Sequence, residues 1–193
     1  FERGRDAPLN AHVSAKSGDG QFTLDGVLKA MQPKLAGEFQ LKGDNVLGYN
    51  TPEMRAWISP DFALALDGRN ARLTGTLTVP RAEITPREIA GGGVAPSGDQ
   101  IVVWGGGAAQ HGPLLIESEV RIVPGEKVRF NGLGLKTRLE GAITAYDEPD
   151  RPTTGRGEMR LVGGRYKAYG QDLIIETGRL VFAGGPITAP AID

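Results

Sequence analysis

The most constraining feature of this sequence is a long alternation of apolar and polar residues. From Leu133 to Tyr146, one set of alternate positions holds Leu133, Leu135, Thr137, Leu139, Gly141, Ile143 and Ala145. Because successive side chains of a β-strand point to opposite sides, this pattern predicts a strand with one apolar face and one polar face. Fourteen such residues would extend roughly 45 Å at about 3.3 Å per residue, which is long for a globular strand. What covers so long an apolar face is therefore the central question.

Similar alternating runs recur along most of the chain. Turn-forming pairs separate them, among them Asp67-Gly68, Pro124-Gly125, Gly163-Gly164 and Thr177-Gly178. This spacing predicts an all-β fold built as a long, mainly antiparallel meander.

One segment has features of a helix, and two have features of loops. Thr51–Ser59 could begin a helix, with Thr51 as the cap and Pro52 at the first helical position, although the same residues could equally enter a strand. Glu88–Gln100 is rich in glycine, and Asp147–Thr154 is charged and interrupted by proline. Because alternation resumes after both, we predict two long loops within one sheet system.

The composition excludes several classes of function. The formal net charge is −1, and there is no basic run that would indicate a nucleic-acid partner. Cysteine is absent, which excludes disulfides and thiolate chemistry. No run of eighteen apolar residues and no signal-peptide pattern is present. Since the chain begins without methionine, we expect residues 1–193 to be a single domain excised from a larger protein.

Candidate catalytic or metal-binding residues are few. The two histidines, His12 and His111, are far apart in sequence, and the glycine runs lack the motif of a phosphate-binding loop. Asp147, Glu148 and Asp150 could chelate calcium, but their spacing is not that of a calcium loop. We therefore expect no enzymatic activity, no cofactor and no metal.

The apolar stripes leave two architectures open. Two sheets could bury the stripes against each other in a closed β-sandwich, which the alternation alone favours. Alternatively, one curved sheet could leave its apolar side open as a U-shaped trough, a surface that would mark a ligand or partner site. The residues expected to line such a groove are Phe62, Leu64, Leu73, Leu77, Ile116, Val120, Leu135, Leu139, Ile143, Met159, Leu161, Leu173, Ile175, Leu180 and Phe182.

The segment Arg165–Pro186, RYKAYGQDLIIETGRLVFAGGP, resembles the C-terminal signature of the TamB family, a subunit of the translocation and assembly module of Gram-negative bacteria. Its Gly-Gln-Asp-Leu motif is fairly specific. Weaker similarity in Leu77–Ile84 and Val128–Leu135 extends the resemblance over residues 70–193. Two departures are the insertion of Gly98 and an ending at Asp193, inside the closing strand of the family.

The resemblance implies a trough rather than a sandwich. It implies a periplasmic domain of an inner-membrane-anchored protein that acts in outer-membrane biogenesis, with a hydrophobic groove for phospholipid transfer. The alternatives are assistance to the insertion or secretion of outer-membrane barrels and autotransporters, with an Omp85-type (TamA-like) partner, and an inert β-sandwich spacer. For the partner contact, we expect Tyr166, Tyr169, Gln171 and Asp172, although Gly170 and Asp172 could simply form a structural corner.

Overall fold

The computed structural model of the chain describes residues 8–30, 34–86, 114–168 and 170–192, and every regular element in these ranges is a β-strand. The strands are β1 (Leu9–Ser17), β2 (Gly20–Ala30), β3 (Ala36–Asp44), β4 (Val46–Asn50), β5 (Met54–Asp67), β6 (Asn70–Ile84), β7 (Leu115–Gly132), β8 (Leu135–Asp147), β9 (Thr154–Ala168), β10 (Gln171–Pro186) and β11 (Ala191–Ile192). No helix long and apolar enough to cross a membrane is present in these ranges.

All eleven strands form one open, curved sheet. Its order is β1-β2-β3-β5-β6-β7-β8-β9-β10-β11, and β4 pairs with β5 beside this path. Every neighbouring pair is antiparallel except β6 and β7, which are parallel. A parallel pair needs a connection of a dozen or more residues, and the chain between Ile84 and Leu115 is long enough. The predicted loop Glu88–Gln100 lies outside the described residues.

The predicted helix at Thr51–Ser59 is wrong. Met54 to Ser59 opens β5, where Ala56 pairs with Tyr49 of β4 and Ala82 of β6. Thr51 instead closes the turn before the strand, because its hydroxyl accepts a hydrogen bond of 3.1 Å from the Met54 amide. The alternative interpretation, in which these residues enter a strand, is the one observed.

Three of the predicted turns are interior features of long strands. Pro124-Gly125 lies within β7, Gly163-Gly164 within β9 and Thr177-Gly178 within β10. The first two coincide with register shifts, between Val79 and Arg81 on β6 and between Lys136 and Arg138 on β8. Glycine is common at such β-bulges as well as at turns. The predicted Asp67-Gly68 turn and the loop after Asp147 are observed.

The described strands form a single layer, so the closed β-sandwich is not the architecture. Their extensive contacts are with hydrogen-bonded neighbours, and β4 makes smaller contacts with β1 and β2. The core is correspondingly thin: Ala56, Ala82 and Val128 form its buried cluster, and no large described side chain is fully buried. A second layer would have buried the apolar stripes completely. The open sheet buries them only in part.

Candidate functional site

One side of the sheet carries a continuous apolar surface, which we call the apolar face. Since paired residues of neighbouring strands point to the same side, the register defines this face directly. One row runs across five strands and consists of Leu77, Ile122, Ile143, Gly157 and Phe182. Strand by strand, the apolar members of the alternation therefore form one surface.

All fifteen predicted groove residues lie on the apolar face. Three further rows of paired residues show this. The first consists of Phe62, Gly75 and Val120, the second of Leu64, Leu73 and Ser118, and the third of Leu135, Tyr166 and Leu173. Leu139 pairs with Leu161, and Met159 with Leu180. Ile116 pairs with Ala71 at one end of the strands, and Ile175 pairs with Gly164.

Accessibility varies across the apolar face. At its centre, Ile143 is 7% accessible. Towards the strand ends, Ile116 and Leu173 are 51% and 52% accessible. Most other members, including Leu161 and Phe182, are half-buried. Because no described second layer lies over them, this shielding comes from their neighbours on the same curved sheet, and the face remains accessible.

Three glycines on the apolar face adopt a backbone that other residues rarely adopt. Gly75, Gly141 and Gly157 have φ angles of +144°, +113° and +127°. A Cβ atom at these positions would lie 2.1, 2.3 and 2.4 Å from a carbonyl oxygen of the neighbouring strand. Glycine bends of this kind introduce curvature into sheets. We attribute the local curvature of the sheet at β6, β8 and β9 to them.

Polar residues interrupt the apolar face near one end. Ser118 pairs with Asp147 on this side of the sheet, and the Asp147 carboxylate accepts a hydrogen bond of 2.7 Å from the Thr153 hydroxyl. Within the apolar region, Thr137 is buried, and its hydroxyl donates to the Val162 carbonyl oxygen. The buried polar group thus has a partner, which avoids the cost of an unsatisfied one.

The opposite side, which we call the outer face, is polar and rich in ion pairs. The Arg81 guanidinium contacts the Glu83 carboxylate and lies over the Trp57 ring, 4.5 Å from its centroid. The Arg81 contact lowers the pKa of Glu83 below its ordinary value. Such exposed pairs contribute little to stability. The outer face is therefore a solvated surface rather than a second core.

Three of the four predicted partner-contact residues lie in the described part of the chain, on either side of the β9–β10 turn. Tyr166 lies on the apolar face, whereas Gln171 and Asp172 begin β10 and Tyr169 lies outside the described residues. The Asp172 carboxylate accepts two hydrogen bonds from Arg165, of 2.6 and 2.7 Å, and contacts Lys167. The Arg165 hydrogen bonds lower the pKa of Asp172. Gly170, with a φ of +76°, supplies the turn.

Those candidate catalytic and metal-binding residues that lie in the described ranges do not come together. His12 contacts Asp25 at the exposed surface, and His111 lies outside the described residues. Glu148 pairs with Arg151, and Asp147 with Thr153. Across residues 8–30, 34–86, 114–168 and 170–192, no group of three or more histidine or carboxylate side chains is placed to hold a metal ion.

Sequence reasoning missed two features of the site. The short strand β4 shares one edge of β5 with β3, and Val46 is buried there. The apolar Val46-Leu47 pair was a weak signal for it. The glycine bends were missed because an isolated glycine in an alternating run also fits a bulge or a turn.

Fold and site together define an open, single-sheet β-protein with one continuous apolar face. The chain belongs to the TamB family, since the family model described as the TamB C-terminal domain matches residues 11–193. It is similar to the translocation and assembly module subunit TamB of Haemophilus influenzae, with 25% identity over 219 aligned residues. That alignment covers 98% of this chain and 17% of the relative, so the chain spans about one sixth of its length.

Proposed function

We propose that this domain acts in outer-membrane biogenesis in the periplasm of a Gram-negative bacterium, as part of an inner-membrane-anchored protein. Its apolar face provides a groove for the acyl chains of phospholipids that pass between the inner and outer membranes. The observation that carries this proposal is the row of apolar residues across neighbouring strands without a described covering layer. Membership of the TamB family supports the setting.

The energetics of such a groove suit transfer rather than storage. Leaving a sixteen-carbon chain in water costs roughly 13 kcal/mol, at about 0.8 kcal/mol per methylene. A surface of leucine, isoleucine, valine and phenylalanine removes much of this cost. Moving a tail from a bilayer to the groove replaces hydrocarbon with hydrocarbon, so the net change is small. A lipid can therefore enter and leave.

The role proposed here is non-enzymatic and needs no cofactor. A conduit requires similar apolar rows in succession and few polar groups, which is the arrangement of Leu77, Ile122 and Ile143 across β6, β7 and β8. The phosphate-bearing headgroup would lie in solvent at the strand ends. The tails would lie across the strands.

A second candidate function is assembly of outer-membrane barrels or autotransporters with an Omp85-type, TamA-like partner. The observation that favours it is an open strand edge. β11 pairs only with Leu180 and Val181 of β10, so Gln171–Thr177 has no further strand partner among the described residues. Such an edge can accept a strand from another chain.

Photo-crosslinking distinguishes these functions. We expect a photoreactive residue at Leu135, Leu161 or Phe182 of the full-length protein to form phospholipid adducts in cells. The same group at Thr177, which pairs with Val162 on the outer face, should form few. Adducts with outer-membrane polypeptides at these positions, or at Thr177 on the open edge of β10, would instead support the assembly function. If neither kind of adduct forms, the domain is an inert spacer and both proposals are contradicted.

A further inference from the structure

Like charges lie directly opposite one another on the outer face. Arg129 of β7 pairs in register with Arg138 of β8, and Lys136 of β8 with Arg165 of β9. On the adjoining parallel pair, Arg81 is in register with Lys127. These six cations form a band across β6 to β9, which we call the basic stripe. Like charges opposite each other destabilise a sheet. Because this arrangement recurs on three successive strand pairs, we look for a function that these cations serve.

Neighbouring carboxylates neutralise only part of the basic stripe. Glu83 pairs with Arg81, Glu140 with Arg138, and Asp172 with both Arg165 and Lys167. Arg129 faces Glu83 in register and helps to lower its pKa, but neither Arg129 nor Lys127 nor Lys136 forms a direct ion pair in the part of the chain that the structure describes. All three are exposed, and one further carboxylate, Glu126, lies close by. The region therefore carries excess positive charge although the chain as a whole has a net charge of −1.

The basic stripe borders a recess of a size that suits an anionic group. A shallow cavity of about 480 Å³ is lined by the charged residues Glu126, Arg129, Lys136 and Arg138 and by Phe130, Asn131, Thr137, Val162 and Gly163. Glu126 follows the bulge of β7, and Gly163 lies at the bulge of β9. Three cationic side chains thus converge on one solvent-open concavity.

Exposed apolar side chains lie on the turn and the strand next to the residues of the basic stripe. Leu133, at the β7–β8 turn, is 62% accessible, and Ile174, the register partner of Arg165, is 81% accessible. Basic residues beside protruding apolar ones suit a lipid–water interface, where the cations contact phosphate groups and the apolar side chains enter the acyl boundary. A soluble polyanion offers no apolar surface that the exposed leucine and isoleucine could contact.

We infer that the outer face of β6 to β10 is a docking site for an anionic membrane surface, with the basic stripe contacting the phosphate groups of lipid headgroups and Leu133 and Ile174 entering the bilayer. This site lies on the side of the sheet opposite the apolar face and does not rest on the proposed conduit. It would hold the domain at a membrane.

Sedimentation with lipid vesicles tests this docking site. We expect the chain to bind vesicles of phosphatidylglycerol and phosphatidylcholine in equal parts far better than phosphatidylcholine alone, and less well as salt rises. The double variant Arg129→Gln/Lys136→Gln should bind the mixed vesicles about thirtyfold more weakly, since each basic residue near an anionic surface contributes about 1 kcal/mol and 1.4 kcal/mol is a factor of ten.

The matched control is Lys42→Gln/Arg72→Gln, which removes the same charge from exposed outer-face positions on β3 and β6. Its binding should stay near that of the unaltered chain. Leu133→Ser should weaken vesicle binding, and inorganic phosphate at the same total phosphate concentration should not displace the vesicles. Equal binding by the two double variants, or displacement by inorganic phosphate, would overturn the inference.

Two further measurements separate this inference from the proposed conduit. The Arg129→Gln/Lys136→Gln variant should still take up a fluorescent fatty acid, because its changes lie on the outer face. Conversely, Leu161→Arg should lose fatty-acid uptake and keep vesicle binding. Parallel loss of both properties in the stripe variant would show that the cations support the fold rather than a membrane contact.

Discussion

Gly157→Ala should destabilise the chain by roughly 4 kcal/mol, the combined scale of backbone strain and of a forced close contact. Gly157 has a φ of +127°, and an added Cβ would lie 2.4 Å from the Ala142 carbonyl oxygen. That oxygen belongs to the backbone of β8, so it cannot move without disturbing the ladder. Equilibrium unfolding in urea, followed by circular dichroism, measures the change.

Gly185→Ala is the matched control for Gly157. Gly185 also lies in a long strand, β10, but nothing lies within 4 Å of an added Cβ and its φ is not in the left-handed region. Its free energy of unfolding should stay within about 0.5 kcal/mol of the unaltered chain, as for most surface substitutions. If the two alanine variants are equally stable, the bends at Gly75, Gly141 and Gly157 do not shape the sheet as we describe.

Leu161→Arg should lower the affinity of the chain for a fluorescent fatty acid roughly a hundredfold, because a cation among acyl chains costs about 3 kcal/mol. Leu161 lies on the apolar face beside Leu139 and is half-buried. The long arginine side chain can reach solvent across the open side, so the sheet should remain folded. Fatty-acid titration measures the affinity, and urea unfolding of the same sample shows whether the sheet remains folded.

Thr177→Arg is the control for Leu161→Arg. It adds the same charge to the exposed side of β10, where Thr177 pairs with Val162. This variant should bind fatty acid like the unaltered chain. Unchanged binding by the folded Leu161→Arg variant would contradict a role of the apolar face in holding lipid.

The all-β class and the apolar face were predictable largely because alternation has a period of two. In β8, the predicted series from Leu135 to Ala145 falls on one face without interruption. In β5 the same signal was obscured, since Pro52 and Glu53 also fit a helix start. Ala56 is held in a strand because it pairs with Tyr49 on one side and with Ala82 on the other, and the Ala82 partner is distant in sequence.

The shape of the sheet was less predictable than its pattern. The alternation alone favoured a sandwich over a trough, because it shows that one face of each strand is apolar but not what covers that face. The sequence also did not separate the central Ile143, which is 7% accessible, from the terminal Leu173, which is 52% accessible. For this reason Leu161 is a better position for a charge than Ile143, where a buried charge would compromise folding itself. The basic stripe was equally hidden, since its members become neighbours only through strand pairing.

Native mass spectrometry of the chain, purified without harsh detergent, tests the central claim most directly. We predict that the folded chain carries phospholipid, or takes it up from added vesicles, and that Leu161→Arg abolishes these bound species while Thr177→Arg keeps them. A folded chain that is free of lipid, and that stays so when lipid is offered, would contradict the claim that its apolar face is open to acyl chains.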